Sequence, residues 1–264
     1  MALVQFDFYS QVIGVETSLN LILPQSKEDP EEEDFSRENK NFSAEKFSTL
    51  YLLHGLSDDH TAWVRKTSIE RYANKHNLAV VMPAVHRSFY TDMVYGYPYW
   101  TFVSEELPRI VRHYFPLSDK REDNFVAGLS MGGFGAFKLA LNCPDKFSAA
   151  ASLSGALDIV REAKEEEKQE EWSFVFGDLK SLQGSKNDLC FLAKNIDSSR
   201  NSVPKLFQAC GMDDFLYQDN LKFKKMALAN NLDLTYEEDP GEEHTWSYWD
   251  KKIQRVLDWL PLKE

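Results

Sequence analysis

The 264-residue chain lacks any run that approaches the roughly 18 uninterrupted apolar residues of a membrane-spanning helix. The segment from Met1 to Asp7 lacks the basic stretch, sustained apolar run and small-residue cleavage site of a secretory signal. Only three cysteines are present, Cys143, Cys190 and Cys210, and none forms a C-x-x-C pair. We therefore expect neither a disulfide framework nor a zinc finger, and we predict a cytoplasmic protein with reduced thiols.

Basic residues are too few to balance the acidic ones. The chain has 30 lysines and arginines against 42 aspartates and glutamates, which gives a net charge of −12. Such a surface repels phosphate groups, so nucleic acid is not an expected partner, and the missing apolar runs argue against a membrane partner. A small-molecule substrate is expected, and a homo-oligomer is compatible with the sequence. The length and the 43% hydrophobic content suit one globular domain over residues 1–264.

Short apolar stretches alternate with helical patterns along most of the chain. Alternating apolar residues from Leu3 to Leu23 predict two antiparallel strands. Further strands are predicted at 47–53, 78–82, 125–127, 148–153, 204–209 and 232–237, and helices at 63–76, 102–115, 133–141 and 248–260. Pro108 is expected to bend or interrupt the second of these helices. The pattern predicts an α/β fold with a mostly parallel central sheet and helices on both faces.

Two segments depart from this alternation. Residues 24–46 carry a block of acidic side chains and predict a surface loop. Residues 158–203 form an insertion whose charged part, Arg161 to Glu171, is most simply a solvent-exposed helix. Because the insertion follows a strand on the side of the candidate nucleophile, a lid or cap over the site is an equal alternative.

The segment from Gly128 to Gly132 reads Gly-Leu-Ser-Met-Gly, between an apolar strand and a helix rich in glycine and alanine. In a G-x-S-x-G turn the serine lies at a strained junction of strand and helix, and small neighbours let the backbones approach. The free N–H groups of the following helix help to stabilise an oxyanion. The pattern arises by chance in roughly one such chain in ten, but the flanking elements make Ser130 a candidate nucleophile.

A serine nucleophile needs a base, and the base needs an orienting carboxylate. His244 is the only histidine after Ser130, and it follows the last predicted strand. The predicted strand at 204–209 runs into a loop with two candidate acids. Asp214, three residues after Gly211, suits the turn best, and Asp213 is the alternative. Serine, acid and histidine then occur in the chain order of α/β-hydrolases.

The remaining site candidates are backbone donors and aromatic walls. Leu56, after Gly55, and Met131, after Ser130, are the predicted oxyanion donors. The pocket walls are predicted at Trp63, Phe89 and Tyr90, together with the aromatic residues of the insertion.

A metal site is the alternative reading of the loop after the third strand, because it carries His54, His60, Asp58 and Asp59. Their spacing is not that of a metal site, so neither a metal nor another cofactor is expected.

With these residues assembled, the chain resembles the bacterial tributyrin-esterase branch of the esterase D-like α/β-hydrolases. The matching segments are 52–55, 82–83, 85–92, 102–108, 127–133, 210–217 and 240–246. The resemblance implies the α/β-hydrolase fold and hydrolysis of short acyl esters by a triad of Ser130, Asp214 and His244.

Related substrates stay open as alternatives. Feruloyl and acetyl-xylan esterases share this scaffold, so a carbohydrate or phenolic ester is one of them. S-formylglutathione is the other, although the relatives that hydrolyse it carry Cys-Thr where this chain has Ser57-Asp58. A non-enzymatic binding protein is disfavoured because every triad position is filled.

Overall fold

In the computed structural model, which describes residues 1–24, 46–196 and 203–263, eight strands form one sheet. The strands are β1 (Ala2–Ser10), β2 (Val15–Leu23), β3 (Thr49–Leu53), β4 (Ala79–Pro83), β5 (Asn124–Leu129), β6 (Ala149–Leu153), β7 (Lys205–Gly211) and β8 (Leu234–Asp239). Their order is β1-β2-β4-β3-β5-β6-β7-β8. The pairs β1–β2 and β2–β4 are antiparallel, and the five other pairs are parallel. The predicted α/β-hydrolase fold is confirmed.

Ten helices accompany the sheet within the described residues. They are α1 (Ala62–Lys66), α2 (Ile69–Lys75), α3 (Tyr99–Thr101), α4 (Leu107–Tyr114), α5 (Met131–Asn142), α6 (Ile159–Glu162), α7 (Gln169–Phe176), α8 (Leu189–Asn195), α9 (Tyr217–Ala229) and α10 (Trp246–Trp259). No helix in these parts of the chain is long and apolar enough to cross a membrane.

The central strands are buried on both faces, which explains why their sequences are nearly continuous apolar runs. On β3, Tyr51 and Leu53 pack with α5 in one core cluster. Leu50 and Leu52 face the opposite way and pack with α2 and α10 in a second cluster. This alternation follows from the two-residue period of a strand, and it makes the sheet the wall between two cores.

Two predicted helices are interrupted, each for a local reason. The 63–76 helix divides into α1 and α2 because Thr67 Oγ1 donates to the Trp63 carbonyl at 2.6 Å and accepts from the Ile69 N–H at 3.1 Å. In the 102–115 helix a π-helical turn, Phe102–Glu106, precedes Pro108. Proline has no N–H to give to the carbonyl four residues earlier, and the Ser104 carbonyl accepts from Lys146 Nζ at 2.9 Å instead.

The insertion after β6 is not one exposed charged helix. The charged stretch forms α6, a 3₁₀ turn at Glu166–Lys168 and the start of α7, and Glu162 lies buried within it. The end of α7 is joined to an earlier loop, because the N–H groups of Val94 and Tyr95 donate to the carbonyls of Val175 and Phe174 at 3.1 and 3.0 Å. Residues 197–202 of the insertion and 25–45 of the predicted acidic loop lie outside the described residues.

Glu162 has a protonation state that couples stability to pH. Its Oε2 lies 3.6 Å from Lys168 Nζ, while Oε1 has no hydrogen-bond partner among the described residues. Burial raises the pKa of this carboxyl to about 7. The folded protein therefore holds the proton more tightly than the unfolded chain does. The free energy of unfolding falls as the pH rises from the ordinary glutamate pKa of 4.5 to about 7.

We expect Glu162→Gln to stabilise the protein at alkaline pH more than at acidic pH, because glutamine needs no proton to remain neutral. The gain in Tm over the wild type should grow between about pH 5 and pH 8, at about 2–4 °C per kcal/mol. Scanning calorimetry measures it. Glu165→Gln is the control, because Lys168 and Arg161 lower the pKa of Glu165 and its loss should give no gain. A Tm difference that does not change with pH would contradict the prediction.

Candidate active site

Ser130 is the single residue between β5 and α5, and its backbone is strained. Its φ of 52° and ψ of −117° are unusual for a residue other than glycine, at a cost of about 1–3 kcal/mol. The surrounding structure holds this conformation. The Ser130 N–H donates to the Leu153 carbonyl at 2.9 Å, and its carbonyl accepts from the N–H groups of Phe134 and Ala156 at 3.1 and 3.2 Å.

The glycine after this turn is required by close packing. A side-chain carbon on Gly132 would lie 2.7 Å from the carbonyl oxygen of His54, well inside contact distance. The first turn of α5 thus rests on the backbone that leaves β3. Met131, buried at 1% exposure, begins α5, where the first N–H groups have no acceptor within the helix. Free donors of this kind suit a developing negative charge beside Ser130.

His244 and Asp214 form a hydrogen-bonded pair. His244 Nδ1 lies 2.8 Å from Asp214 Oδ2, and the other carboxylate oxygen accepts from the Leu216 N–H at 2.8 Å. The side chain of Asp214 is fully buried, while that of His244 is 19% exposed. Asp213 lies at the surface. The geometry thus favours Asp214 over the alternative acid as the partner of the imidazole.

Backbone hydrogen bonds between the segments that follow β7 and β8 hold the loops of Asp214 and His244 together. Beyond β7 and β8, the Met212 N–H donates to the Asp239 carbonyl at 2.9 Å, and the Asp213 N–H donates to the Glu242 carbonyl at 3.1 Å. Ser130, Asp214 and His244 all follow the carboxyl ends of parallel strands, β5, β7 and β8, and so belong to one edge of the sheet.

The imidazole of His244 is flanked by two aromatic rings. Phe215 lies at a centroid distance of 4.6 Å, and Trp249 packs edge-on at 4.8 Å. Phe215 is nevertheless 71% exposed, so a hydrophobic face is open to solvent beside the histidine. Phe215 is not among the predicted site residues, although its position directly after Asp214 was a signal that could have indicated it.

The loop after β3 approaches Ser130. A side-chain carbon on Gly55 would lie 3.8 Å from Ser130 Cβ and 2.7 Å from Leu129 Cδ1. The half-buried Leu56 follows it and lines a groove of about 530 Å³. The other lining residues are Ser57, Asp58, His86, Arg87, Met93, Gly96, Tyr97 and Tyr99. The peptide before Leu56 is thus close enough for its N–H to be considered as an oxyanion donor.

His54 has both ring nitrogens engaged inside the protein. The Val85 N–H donates to Nε2 at 3.1 Å, so Nδ1 carries the hydrogen and donates to the Gly55 carbonyl at 2.7 Å. Burial lowers the pKa of this histidine, which favours the neutral ring. Neither nitrogen has a lone pair free for a metal, which argues against the metal reading of this loop. Within the described ranges, no group of three or more His, Cys, Asp or Glu side chains is placed to hold a metal ion.

The three predicted wall residues lie in the cores and do not line the groove beside Leu56. Trp63 is 1% exposed, and its Nε1 donates to the Leu53 carbonyl at 3.0 Å. Phe89 is 5% exposed and packs against Trp172 of α7 at a centroid distance of 4.5 Å. Tyr90 is fully buried. Their aromatic character therefore serves packing between elements, and the tyrosines of the groove were not singled out from the sequence.

Comparisons with known proteins agree with this geometry. The model of the Esterase family matches residues 38–260. An acetyl esterase of Caldicellulosiruptor saccharolyticus is 35% identical over an alignment of 268 residues, which covers 98% of this chain and 98% of the relative.

Two solved structures from Staphylococcus aureus are also similar. Serine hydrolase F, named FphF and described as fluorophosphonate-binding, has a TM-score of 0.87 and 39% identity, covering 100% of this chain and 99% of its own. An S-formylglutathione hydrolase, FrmB, has a TM-score of 0.84 and 40% identity over 98% of both chains.

Proposed function

Because this chain belongs to the Esterase family and is a serine ester hydrolase, we propose that it cleaves short-chain acyl esters through an acyl-enzyme on Ser130. The observation that carries the proposal is the 2.8 Å bond between His244 and the buried Asp214, at the same sheet edge as the strained serine. A histidine held in this way presents its other nitrogen, Nε2, as a base.

In the proposed reaction His244 Nε2 takes the Ser130 proton as Oγ bonds to the ester carbonyl carbon. Collapse of the tetrahedral intermediate breaks the bond to the alcohol, which leaves with the proton from His244. Water then gives a proton to His244, attacks the acyl-enzyme and releases the acid, and Ser130 regains its proton. Asp214 holds the ring in one tautomer and stabilises its charged form.

The N–H groups of Leu56 and Met131 are the proposed oxyanion donors. Met131 begins a helix whose first N–H groups lack internal partners, and the Gly55 backbone before Leu56 lies against Ser130. Removing one such donor from a serine hydrolase costs about 10²–10³ in kcat. The two donors therefore account for a large part of the proposed rate enhancement.

A short acyl group is supported by the acetyl esterase relative at 35% identity. A thioester is the second candidate, because the S-formylglutathione hydrolase is 40% identical and the groove beside Leu56 carries the exposed side chains of His86 and Arg87. The guanidinium of Arg87 there would suit the carboxylates of a glutathione thioester. Arg87 also pairs with Glu171 at 2.6 Å, which leaves it less free to bind such a ligand, so the oxygen ester is the first choice.

Labelling and a substrate panel test the proposal together. We expect a fluorophosphonate to modify the protein once, on the peptide that contains Ser130. With p-nitrophenyl esters, kcat/KM should be at least about ten-fold higher for acetate and butyrate than for octanoate, because each ill-fitting methylene costs on the order of 1–3 kcal/mol. S-formylglutathione added to the panel decides between the two leaving groups. Absence of labelling at Ser130 would contradict the mechanism.

We further propose a cytoplasmic enzyme that acts on a small-molecule ester, without nucleic acid or membrane as a partner. The net charge of −12 and three cysteines, all free in the structure, support this location and this class of substrate. Fractionation of the source cells and an activity assay of each fraction would test it.

A further inference from the structure

Lys138 of α5 is fully buried, which is rare for a lysine. Its Nζ donates to the Tyr90 carbonyl at 2.8 Å and to Thr91 Oγ1 at 2.7 Å. The Trp100 ring lies beside it, with its centroid 4.8 Å from Nζ. Burial lowers the pKa of this lysine well below its usual value. A lysine that is so costly to bury, on the helix that begins at Ser130, suggests a role beyond packing.

The segment that Lys138 holds is itself strained. Phe89 and Tyr90 have φ angles of 50° and 49°, in the left-handed region that bulky side chains avoid. The Tyr90 N–H donates to Ser88 Oγ at 3.1 Å, and the ring of Tyr90 packs on α5 where Gly135 has no side chain. Such strain persists only where the surroundings over-determine the conformation, and here Lys138 supplies two of the bonds.

Tyr90 extends the connection to the loop after β3. Its hydroxyl donates to the His54 carbonyl at 3.0 Å. The His54 ring, fixed by the Val85 N–H at Nε2, donates from Nδ1 to the Gly55 carbonyl at 2.7 Å. A trans peptide points its C=O and its N–H in opposite directions. Holding the Gly55 carbonyl therefore also fixes the direction of the Leu56 N–H.

We propose that Lys138, Tyr90 and His54 are positioning residues that aim the Leu56 N–H at the oxyanion formed on Ser130. The inference rests on the proposed function, because it requires Leu56 to be an oxyanion donor. Ser130 and Leu56 follow different strands, β5 and β3. The hydrogen bonds through Lys138, Tyr90 and His54 connect the loop that carries Leu56 to α5, the helix that begins directly after Ser130. Small errors in the position of the Leu56 N–H relative to Ser130 weaken an oxyanion hole. A buried connection between the two loops would therefore increase the rate by keeping that position fixed.

The cleanest test is Tyr90→Phe, which keeps the ring against α5 and removes only the hydroxyl bond to His54. Loosening a donor should cost less than the roughly 10²–10³ of removing it, so we expect kcat for p-nitrophenyl acetate to fall about ten-fold. KM should stay within about two-fold, because the ground-state ester carries no oxyanion. Affinity for a trifluoromethyl ketone, which forms an oxyanion on the serine, should fall in proportion to kcat/KM.

Lys138→Met is the second variant, and we expect it to show the same pattern of kcat and inhibitor affinity. Tyr72→Phe is the matched control, since its hydroxyl donates to Asp250 at 3.1 Å between α2 and α10, away from this chain. All rates are expressed per serine titrated with a fluorophosphonate. The control should retain the wild-type kcat and inhibitor affinity.

The outcomes separate this inference from the function on which it rests. A wild-type protein that the fluorophosphonate does not label refutes the proposed function, and the inference with it. A labelled wild type with an unchanged kcat per titrated serine in Tyr90→Phe overturns the positioning role alone. The same conclusion follows if Tyr90→Phe lowers only the amount of titratable enzyme or its Tm, because that result indicates packing without an effect on the oxyanion.

Discussion

Replacing Ser130 by alanine is expected to lower kcat for p-nitrophenyl acetate on the order of 10⁵- to 10⁶-fold, as for other serine hydrolases that lose their nucleophile. Alanine keeps the β-carbon at the strained turn and removes only Oγ, so no acyl-enzyme can form. The hydrogen bonds of Ser130 to Leu153, Phe134 and Ala156 are backbone bonds and survive the change. Stopped-flow detection of the p-nitrophenol burst measures the loss of acylation directly.

Ser148→Ala is the control for this variant. Ser148 precedes β6, at the edge of the sheet opposite to Ser130. Among the described residues its hydroxyl makes only long contacts, of 3.4 Å, to the carbonyls of Glu122 and Asn124. We expect its kcat to stay within about two-fold of the wild type. The Tm of Ser130→Ala should also remain near that of the wild type. A variant that still gave a burst would exclude Ser130 as the acylated residue.

The candidate site was predictable from sequence because the order of its parts is fixed by the topology. A serine after one parallel strand, an acid after a later one and a histidine after the last must reach the same edge of the sheet. Asp214 could be preferred over Asp213 from turn spacing alone. The structure adds the reason for the difference, because Asp214 is buried and bonded to His244 while Asp213 faces solvent.

The central strands were equally readable, because burial on both faces leaves a signal in every residue of β3 to β6. The ends and interruptions of the helices could not be predicted in this way. The interruption at Thr67 depends on one side-chain bond to Trp63, and periodicity carries no trace of it.

The charge or aromatic character of a residue did not predict its position correctly where tertiary contacts decide whether it is buried. Glu162 lies in a stretch of charges that predicts a solvent-exposed helix, yet neighbouring elements cover it. Tyr90 was predicted as a pocket wall, yet it is fully buried. Its burial depends on a bare patch of α5 at Gly135, more than forty residues later in the chain, which no local pattern shows.

Exchanging Asp214 for asparagine is expected to lower kcat by about 10⁴-fold, because an amide facing His244 Nδ1 favours the wrong tautomer of the ring. The variant should still fold, since asparagine Oδ1 can accept the Leu216 N–H that Asp214 accepts at 2.8 Å. Asp213→Asn is the matched control one residue away. Its side chain is exposed, and the Asp213 bond to Glu242 is made by the backbone, so kcat should change by no more than about two-fold.

The comparison of these two variants assigns the acid without reference to any relative. Both exchanges remove one negative charge from the same loop, so a long-range electrostatic effect on the base would act on both. The two aspartates differ in that Asp214 is buried and contacts His244 while Asp213 is exposed, so the ratio of the two kcat values reports the loss of the buried pair. A larger loss in Asp213→Asn would reverse the assignment. Equal and small losses would contradict the prediction, because neither aspartate would then set the catalytic tautomer of His244.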